Sequence, residues 1–254
     1  MLRAGDIQLR GQESGFRVDK KGTIDLVTEV DLECERMCRA VLGERFPDHE
    51  ILAEEFGGAQ EARSRFRWVF DPVDGTTNYA HGLPIFCASL GLEIDGERAV
   101  VAIYDPSRRE LFTAERGQGA YLNGVAIKTS ATGTLIDGLL VTGFPYDMHK
   151  QGPELIEMFA AFMKRARAVR RLGSAALDLC YVAAGRFDAF WEQHLKPWDV
   201  AAGALIVEEA GGRITGMGGE PFALSMPHLV ASNGHLHDQL LAVIGAERAR
   251  NRTD

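Results

Sequence analysis

Apolar positions fall into two patterns along this chain. Up to about residue 135, short β-prone runs follow one another, and from about Ile136 strand-like runs alternate with helix-like ones. Trp68-Val69-Phe70, 86–94, 99–104 and 110–114 read as strands, with turns at Asp95-Gly96 and Pro106-Ser107. Short aromatic and β-branched runs bounded by Gly, Pro and Asp favour that geometry. Residues 1–15 read as weakly helical and 16–19 as extended, followed by a polar turn at Lys20-Lys21-Gly22. Cys34, Met37, Cys38, Val41 and Leu42 form one apolar stripe, which predicts a helix over 30–46 with both thiols in the core. GQGAYLNG, 117–124, reads as a cluster of turns. The second half predicts strands at 139–142, 168–172, 187–191, 213–215 and 229–232. Helices are expected at 153–164, with Leu155, Ile156, Phe159 and Phe162 inward, and at 174–184, 199–210 and 236–244. The expectation is an α+β fold with a mainly antiparallel N-terminal half and an alternating α/β C-terminal half. With no repeat or long linker, 1–254 reads as one domain with sub-halves 1–135 and 136–254.

A chain of 254 residues can bury a full core. Its net charge of −8 argues against nucleic acid and anionic membrane as partners. An acidic surface also repels a phosphate substrate unless bound cations invert the local field. Arg3, Asp6 and Arg10 interrupt the start, so no signal peptide is expected, and no run approaches the ~18 apolar residues of a membrane span. Four cysteines without CxxC spacing predict reduced thiols and a cytoplasmic protein.

The candidate chemistry begins at WVFDPVDGTTN, residues 68–78. Asp71 and Asp74 stand at a strand's end, and Gly75, Thr76, Thr77 and Asn78 suit the opening of a helix. Hard oxygen ligands beside backbone N–H groups suit a divalent cation and a phosphate. An isolated Asp-Gly is usually only a turn, so other ligands must come from elsewhere. Ala53-Glu54-Glu55 is a strand end of which one carboxylate at most faces a given side, or a solvated acidic turn. Thr28 with Asp31 resembles a capping box. Asp199 precedes VAAGALIVEEAGG and reads as an N-cap. The histidines and cysteines show no zinc spacing.

DPVDGTTN resembles the DPxDGTxN signature of the inositol monophosphatase family of magnesium-dependent phosphatases. The Lys-Gly-x-x-DLVTEVD segment, GQGAYLNG and WDVAAGALIVEEAGG resemble further family segments, and the likeness runs from about 20 to 245. The helix before the first segment is shorter than in relatives. The resemblance implies a layered αβαβα sandwich of the sugar-phosphatase type and a homodimer. It also implies two or three Mg2+ ions held by Glu54, Asp71, the Val73 carbonyl, Asp74 and Asp199. Thr76 and Glu54 would orient the attacking water, with Asp31 close behind, and the Gly75 and Thr76 N–H groups would hold phosphate oxygens. Asp74 and Asp199 would also touch the substrate, and Ala175 and Glu192 would lie beside polyol hydroxyls. Arg170 and Arg171 read either as an anion attractor or as solvated charges.

The implied function is Mg2+-dependent hydrolysis of a small polyol phosphate, inositol monophosphate first, with sensitivity to lithium. Alternatives are histidinol-phosphate, nucleotide 3′-phosphate or fructose-bisphosphate phosphatases, or a non-catalytic regulatory binding role beside transcription machinery. The first two often carry Lys where Thr77 stands.

Overall fold

The strand that carries the aspartates is an inner strand, next to one edge, of a seven-stranded sheet. The structure is a computed structural model that describes residues 1–20, 26–58, 63–145, 148 and 153–250. Lys21 and Gly22 of the expected polar turn lie outside the described residues. The sheet runs in chain order: β3 (Glu50–Ala53), β4 (Phe66–Asp74), β5 (Cys87–Ile94), β6 (Glu97–Asp105), β7 (Glu110–Glu115), β8 (Gly119–Leu122) and β9 (Val125–Ala126). β3 and β4 are parallel and the other pairs antiparallel. A separate ribbon pairs β1 (Val18–Lys20) with β2 (Leu26–Thr28). GQGAYLNG is not turns alone: β8 lies inside it, pairing with β7 and burying Ala120. Positive φ angles at Gly117, Asn123 and Gly124 make the turns on either side.

The second sheet contains β10 (Leu139–Thr142), β11 (Ala168–Arg170), β12 (Ala189–Gln193), β13 (Arg213–Thr215) and β14 (His228–Ser232), in the order β11-β10-β12-β14-β13. Helices α1 (Leu2–Ser14) and α2 (Glu29–Arg45) pack together on one side of the first sheet. A short α3 (Thr76–Ala80) follows the aspartates, and α4 (Glu154–Met163) and α7 (His237–Arg250) pair outside the second sheet. Between the sheets lie α5 (Ala175–Ala183) and α6 (Pro197–Glu209), α6 against β4–β8 and both helices against the second sheet. The architecture is therefore the α+β, five-layer αβαβα sandwich.

The central layer explains itself in sequence. Residues 200–207 of α6 are all buried, as expected of a helix apolar on every side. Gly203 lets α5 come close, because a Cβ there would meet Leu179 at 2.6 Å. On α4, however, Ile156 points outward and is 53% exposed, while Met158, Ala161 and Phe162 are buried. Ile156 lies about 200° around the helix from Met158, so both cannot face the sheet. The α1 helix is well formed despite its weak pattern, burying Ala4, Ile7, Gln8 and Gly11. Gln8 donates to the Pro72 carbonyl at 2.8 Å, which ties this helix to the aspartate strand.

His237 is fully buried at the start of α7, its Nδ1 2.9 Å from Ser232 Oγ and its Nε2 2.9 Å from Thr215 Oγ1. Ser232 Oγ accepts from Gly234 N and Thr215 Oγ1 donates to Gly216 O, so Ser232 donates to Nδ1 and the ring carries its proton on Nε2. Burial, then Arg213, pushes its pKa down to about 4. A lowered folded pKa makes this stabilisation complete above ~6.5, the unfolded value, and lost as pH falls towards 4. The stability margin of wild type over His237→Asn should therefore shrink by up to about 3 kcal/mol between pH 7 and 4. Urea unfolding at both pH values measures it; a constant margin would show that the ring titrates normally.

Candidate active site

In a regular strand, residues three apart point to opposite faces, so Asp71 and Asp74 would diverge. They do not, because β4 carries a bulge between them. Asp71 pairs with Ser89 and Asp74 with Cys87, three steps on β4 against two on β5. Ser89 and Cys87 share a face, so the extra residue brings both aspartates to one side. Pro72, which has no N–H to give the ladder, sits in that bulge. Gly75 follows at φ 96°, where a Cβ would lie 2.8 Å from the Ile85 carbonyl. Only glycine turns the chain there, and α3 starts at Thr76.

The carboxylates come from β4, α2, α6 and the turn after β3. Asp71 is buried and its Oδ1 accepts from Val73 N at 3.0 Å. Asp74 Oδ2 accepts from Ser174 Oγ at 2.6 Å and from Ala176 N at 2.7 Å, so a distant aspartate caps α5 where Ala175 begins. Asp199 is not the N-cap expected of it. Helix α6 starts two residues earlier at Pro197, a residue favoured in a first turn, and Asp199 reaches back to accept from Lys196 N at 2.7 Å. Glu54 is half-buried in the turn immediately after β3. Asp31 completes a capping box on α2, its Oδ2 accepting from Thr28 N at 2.8 Å and Thr28 Oγ1 at 2.5 Å, while its Oδ1 lies 3.3 Å from Thr76 Oγ1. The cap and the contact with Thr76 coexist. Thr76 Oγ1 is also 2.9 Å from the Val73 carbonyl, and with one proton it donates to one of the two acceptors at a time.

The electrostatics follow from this convergence. Burial, then the charges of Glu54, Asp74 and Asp199, pushes the Asp71 carboxyl well up. Asp74 is raised to about 6, chiefly by burial and against its bonds to Ser174 and Ala176. Asp199 is raised by burial and then by Asp74. Clustered buried carboxylates of this kind disfavour their own charge, and a cation relieves them. Among the described residues no three His, Cys, Asp or Glu side chains close tightly enough to enclose an ion. Glu54, Asp71, Asp74 and Asp199 nevertheless feel one another's charge, and every one of them is an oxygen donor, the chemistry a hard cation such as Mg2+ takes with retained waters.

Glu192 is half-buried on β12, and its carboxyl is raised by burial and by Asp199 and Asp74. Gly143 leaves room for it, since a Cβ there would meet Glu192 Oε2 at 2.1 Å. Arg170 and Arg171 are both exposed, and the charge of Arg171 acts on Glu192 and Asp178. Three further contributors are not among the predicted site residues. Asn78 donates to the carbonyls of Ile85 and Leu172, both at 2.8 Å, joining the aspartate turn to the start of α5. Ser174, the N-cap of α5, holds Asp74. Asp178 is buried on α5 with neither oxygen hydrogen-bonded, and burial followed by Glu192 favours its neutral acid.

The sequence matches the inositol monophosphatase family over residues 2–249. It is 43% identical over 231 residues to inositol-1-monophosphatase of Synechocystis sp., covering 91% of this chain and 80% of that protein. It is 40% identical to Nus factor SuhB of Pasteurella multocida, covering 94% and 90%. The fold superimposes on the inositol monophosphatase of Anabaena (Nostoc) sp. with a TM-score of 0.88 and 39% identity, covering 96% and 92%. An IMPase/NADP phosphatase complexed with Mg2+ and phosphate gives 0.84 and 25% identity, covering 95% and 91%. With the aspartate bulge, the capped α5 and α6, and likeness along nearly its whole length, the chain belongs to the inositol monophosphatase family of phosphatases.

Proposed function

We propose that the protein hydrolyses the phosphate monoester of a small polyol in a Mg2+-dependent reaction, with inositol monophosphate as the leading substrate. The observation that carries this reading is the bulge that turns Asp71 and Asp74 to one side, within electrostatic reach of Glu54 and Asp199 and beside the Thr76–Asp31 pair. The related phosphatase complexed with Mg2+ and phosphate supports magnesium as the cation.

Glu54, Asp71, the Val73 carbonyl, Asp74 and Asp199 would hold the cations, two of which suffice for this donor set. Bound Mg2+ would supply neutralisation of the phosphoryl charge and a more acidic water. Thr76 Oγ1, set by Asp31 and Val73, and Glu54 orient the water that attacks phosphorus; its proton passes to Glu54 as the P–O bond to the polyol breaks, and the polyol oxygen leaves and takes a proton from solvent. The Gly75 and Thr76 N–H groups hold phosphate oxygens as charge develops. Glu192, outside the cation ligands, accepts hydrogen bonds from the polyol. The testing experiment is phosphate release with and without Mg2+ across polyol phosphates, histidinol phosphate, adenosine bisphosphate and fructose bisphosphate. Inositol monophosphate should be among the fastest substrates; no release from any ester would sink the catalytic reading. That outcome would leave the regulatory role suggested by relatives named Nus factor SuhB.

Substrate choice is separable from phosphate chemistry. A charge-assisted bond is typically worth ~1.5–3 kcal/mol, or roughly one to two powers of ten in kcat/KM. Glu192→Gln should lose that much on inositol monophosphate and little on an aryl phosphate without hydroxyls. Equal losses on both would remove Glu192 from polyol recognition.

A further inference from the structure

The turn that presents Glu54 is held by an ion pair on α2 whose carboxylate is buried. Glu35 is fully buried, yet its carboxylate faces backbone: Oε2 accepts from Glu55 N at 2.8 Å and Oε1 from Phe56 N at 3.1 Å. These are the two amides that follow Glu54. Arg39, one helical turn on, donates to Glu35 Oε1 at 2.8 Å and to the Gly57 carbonyl at 2.5 Å. The Gly57 carbonyl in turn accepts from Ala53 N at 3.2 Å, on the other side of Glu54. Both Arg36 and Arg39 lie over the exposed Phe56 ring, at 5.5 and 6.0 Å. Gly58 passes so close to Ile51 that a Cβ would stand 2.3 Å from its carbonyl oxygen. The turn thus has little freedom on either side of Glu54.

We infer that Glu35, braced by Arg39, is a positioning residue that sets the Glu54 carboxylate at the site by clamping the backbone just after it. Asp31 lies four residues before Glu35, on the same helix face. One face of α2 therefore orients both Thr76, through Asp31, and Glu54, through its turn. A simple packing role needs no charge at a fully buried position, where an unpaired carboxylate is costly. The geometry shows this one satisfied by backbone donors next to the residue proposed to bind the cation. The inference rests on the reading of Glu54 as a cation ligand.

Glu35→Gln keeps the shape but turns an NH2 group towards one of the two amides, so the turn loses one anchor. Mg2+ titrated calorimetrically into the metal-stripped protein should then bind about tenfold more weakly, the cost of one charge-assisted hydrogen bond. The thermal shift produced by a fixed Mg2+ concentration should shrink in parallel. Arg39→Lys, which keeps the charge but offers one nitrogen in place of the Nε and Nη2 that reach Glu35 and Gly57 separately, should weaken Mg2+ binding by a smaller factor, and it serves if Glu35→Gln does not fold. Glu54→Gln is the control. If it weakens Mg2+ binding while both α2 variants bind normally, the positioning role is overturned. If Glu35→Gln lowers the melting temperature equally with and without Mg2+ at unchanged affinity, Glu35 is structural only. If Glu54→Gln itself binds Mg2+ normally, the assignment of Glu54 fails and the inference falls with it.

Discussion

Asp74→Asn is expected to lower kcat by about two to three powers of ten or more, the scale of removing one preorganised electrostatic group from a site, while the protein folds. Asparagine is nearly the same size, and its carbonyl oxygen can still accept from Ser174 and Ala176, so the cap on α5 survives in part. What disappears is one negative charge aimed at the proposed cations. In metal-free protein that charge is a burden, since burial, and then the charge of Glu54, already raise Asp74 to about 6. The melting temperature in EDTA should therefore hold steady or rise. Steady-state kinetics and thermal unfolding on the same preparation check both halves. Near-normal turnover would reduce Asp74 to a turn and capping residue.

Removal of metal should have the largest effect. With only oxygen donors among the proposed ligands, EDTA should abolish phosphate release and Mg2+ should restore it, with no need for Zn2+. Stability should follow. A ligand that binds the folded state alone stabilises by about 2.7 kcal/mol at one hundred times its Kd, so Mg2+ should raise the melting temperature of the stripped protein. The rise should be larger at pH 8 than at pH 5, because below about 6 Asp74 takes up the proton that the cation replaces. Full activity after exhaustive chelation, verified by metal analysis, would falsify the proposed chemistry.

Much of this protein is legible locally. The apolar stripe on α2, the all-apolar α6, the Asp95-Gly96 hairpin and strand 139–142 depend on periodicity and turn chemistry, which act over a few residues. The motif at 68–78 likewise offers candidate donors, because Asp and Thr supply hard oxygens and Gly exposes backbone N–H. Where the elements end was less legible. Helix α6 starts at Pro197, β8 lies inside an apparent turn, and Ile156 faces water. Each outcome depends on which neighbouring layer an element meets, and a local window does not contain that neighbour.

The site itself divides along the same line. Residue types and spacing were enough to single out Asp71, Asp74 and Gly75, and the family resemblance added Glu54, Thr76, Glu192 and Asp199. Whether two aspartates three apart on a strand face together is not a property of their sequence. It depends on a bulge whose register is set by pairing with Ser89 and Cys87 on β5. That Asp74 caps a helix one hundred residues away, that Asn78 joins α3 to the start of α5, and that Glu35 holds the turn after Glu54 are long-range hydrogen bonds. The sequence alone determined the chemical types available to the site. The tertiary structure decided their convergence, because buried polar groups must find partners wherever the packed layers bring them.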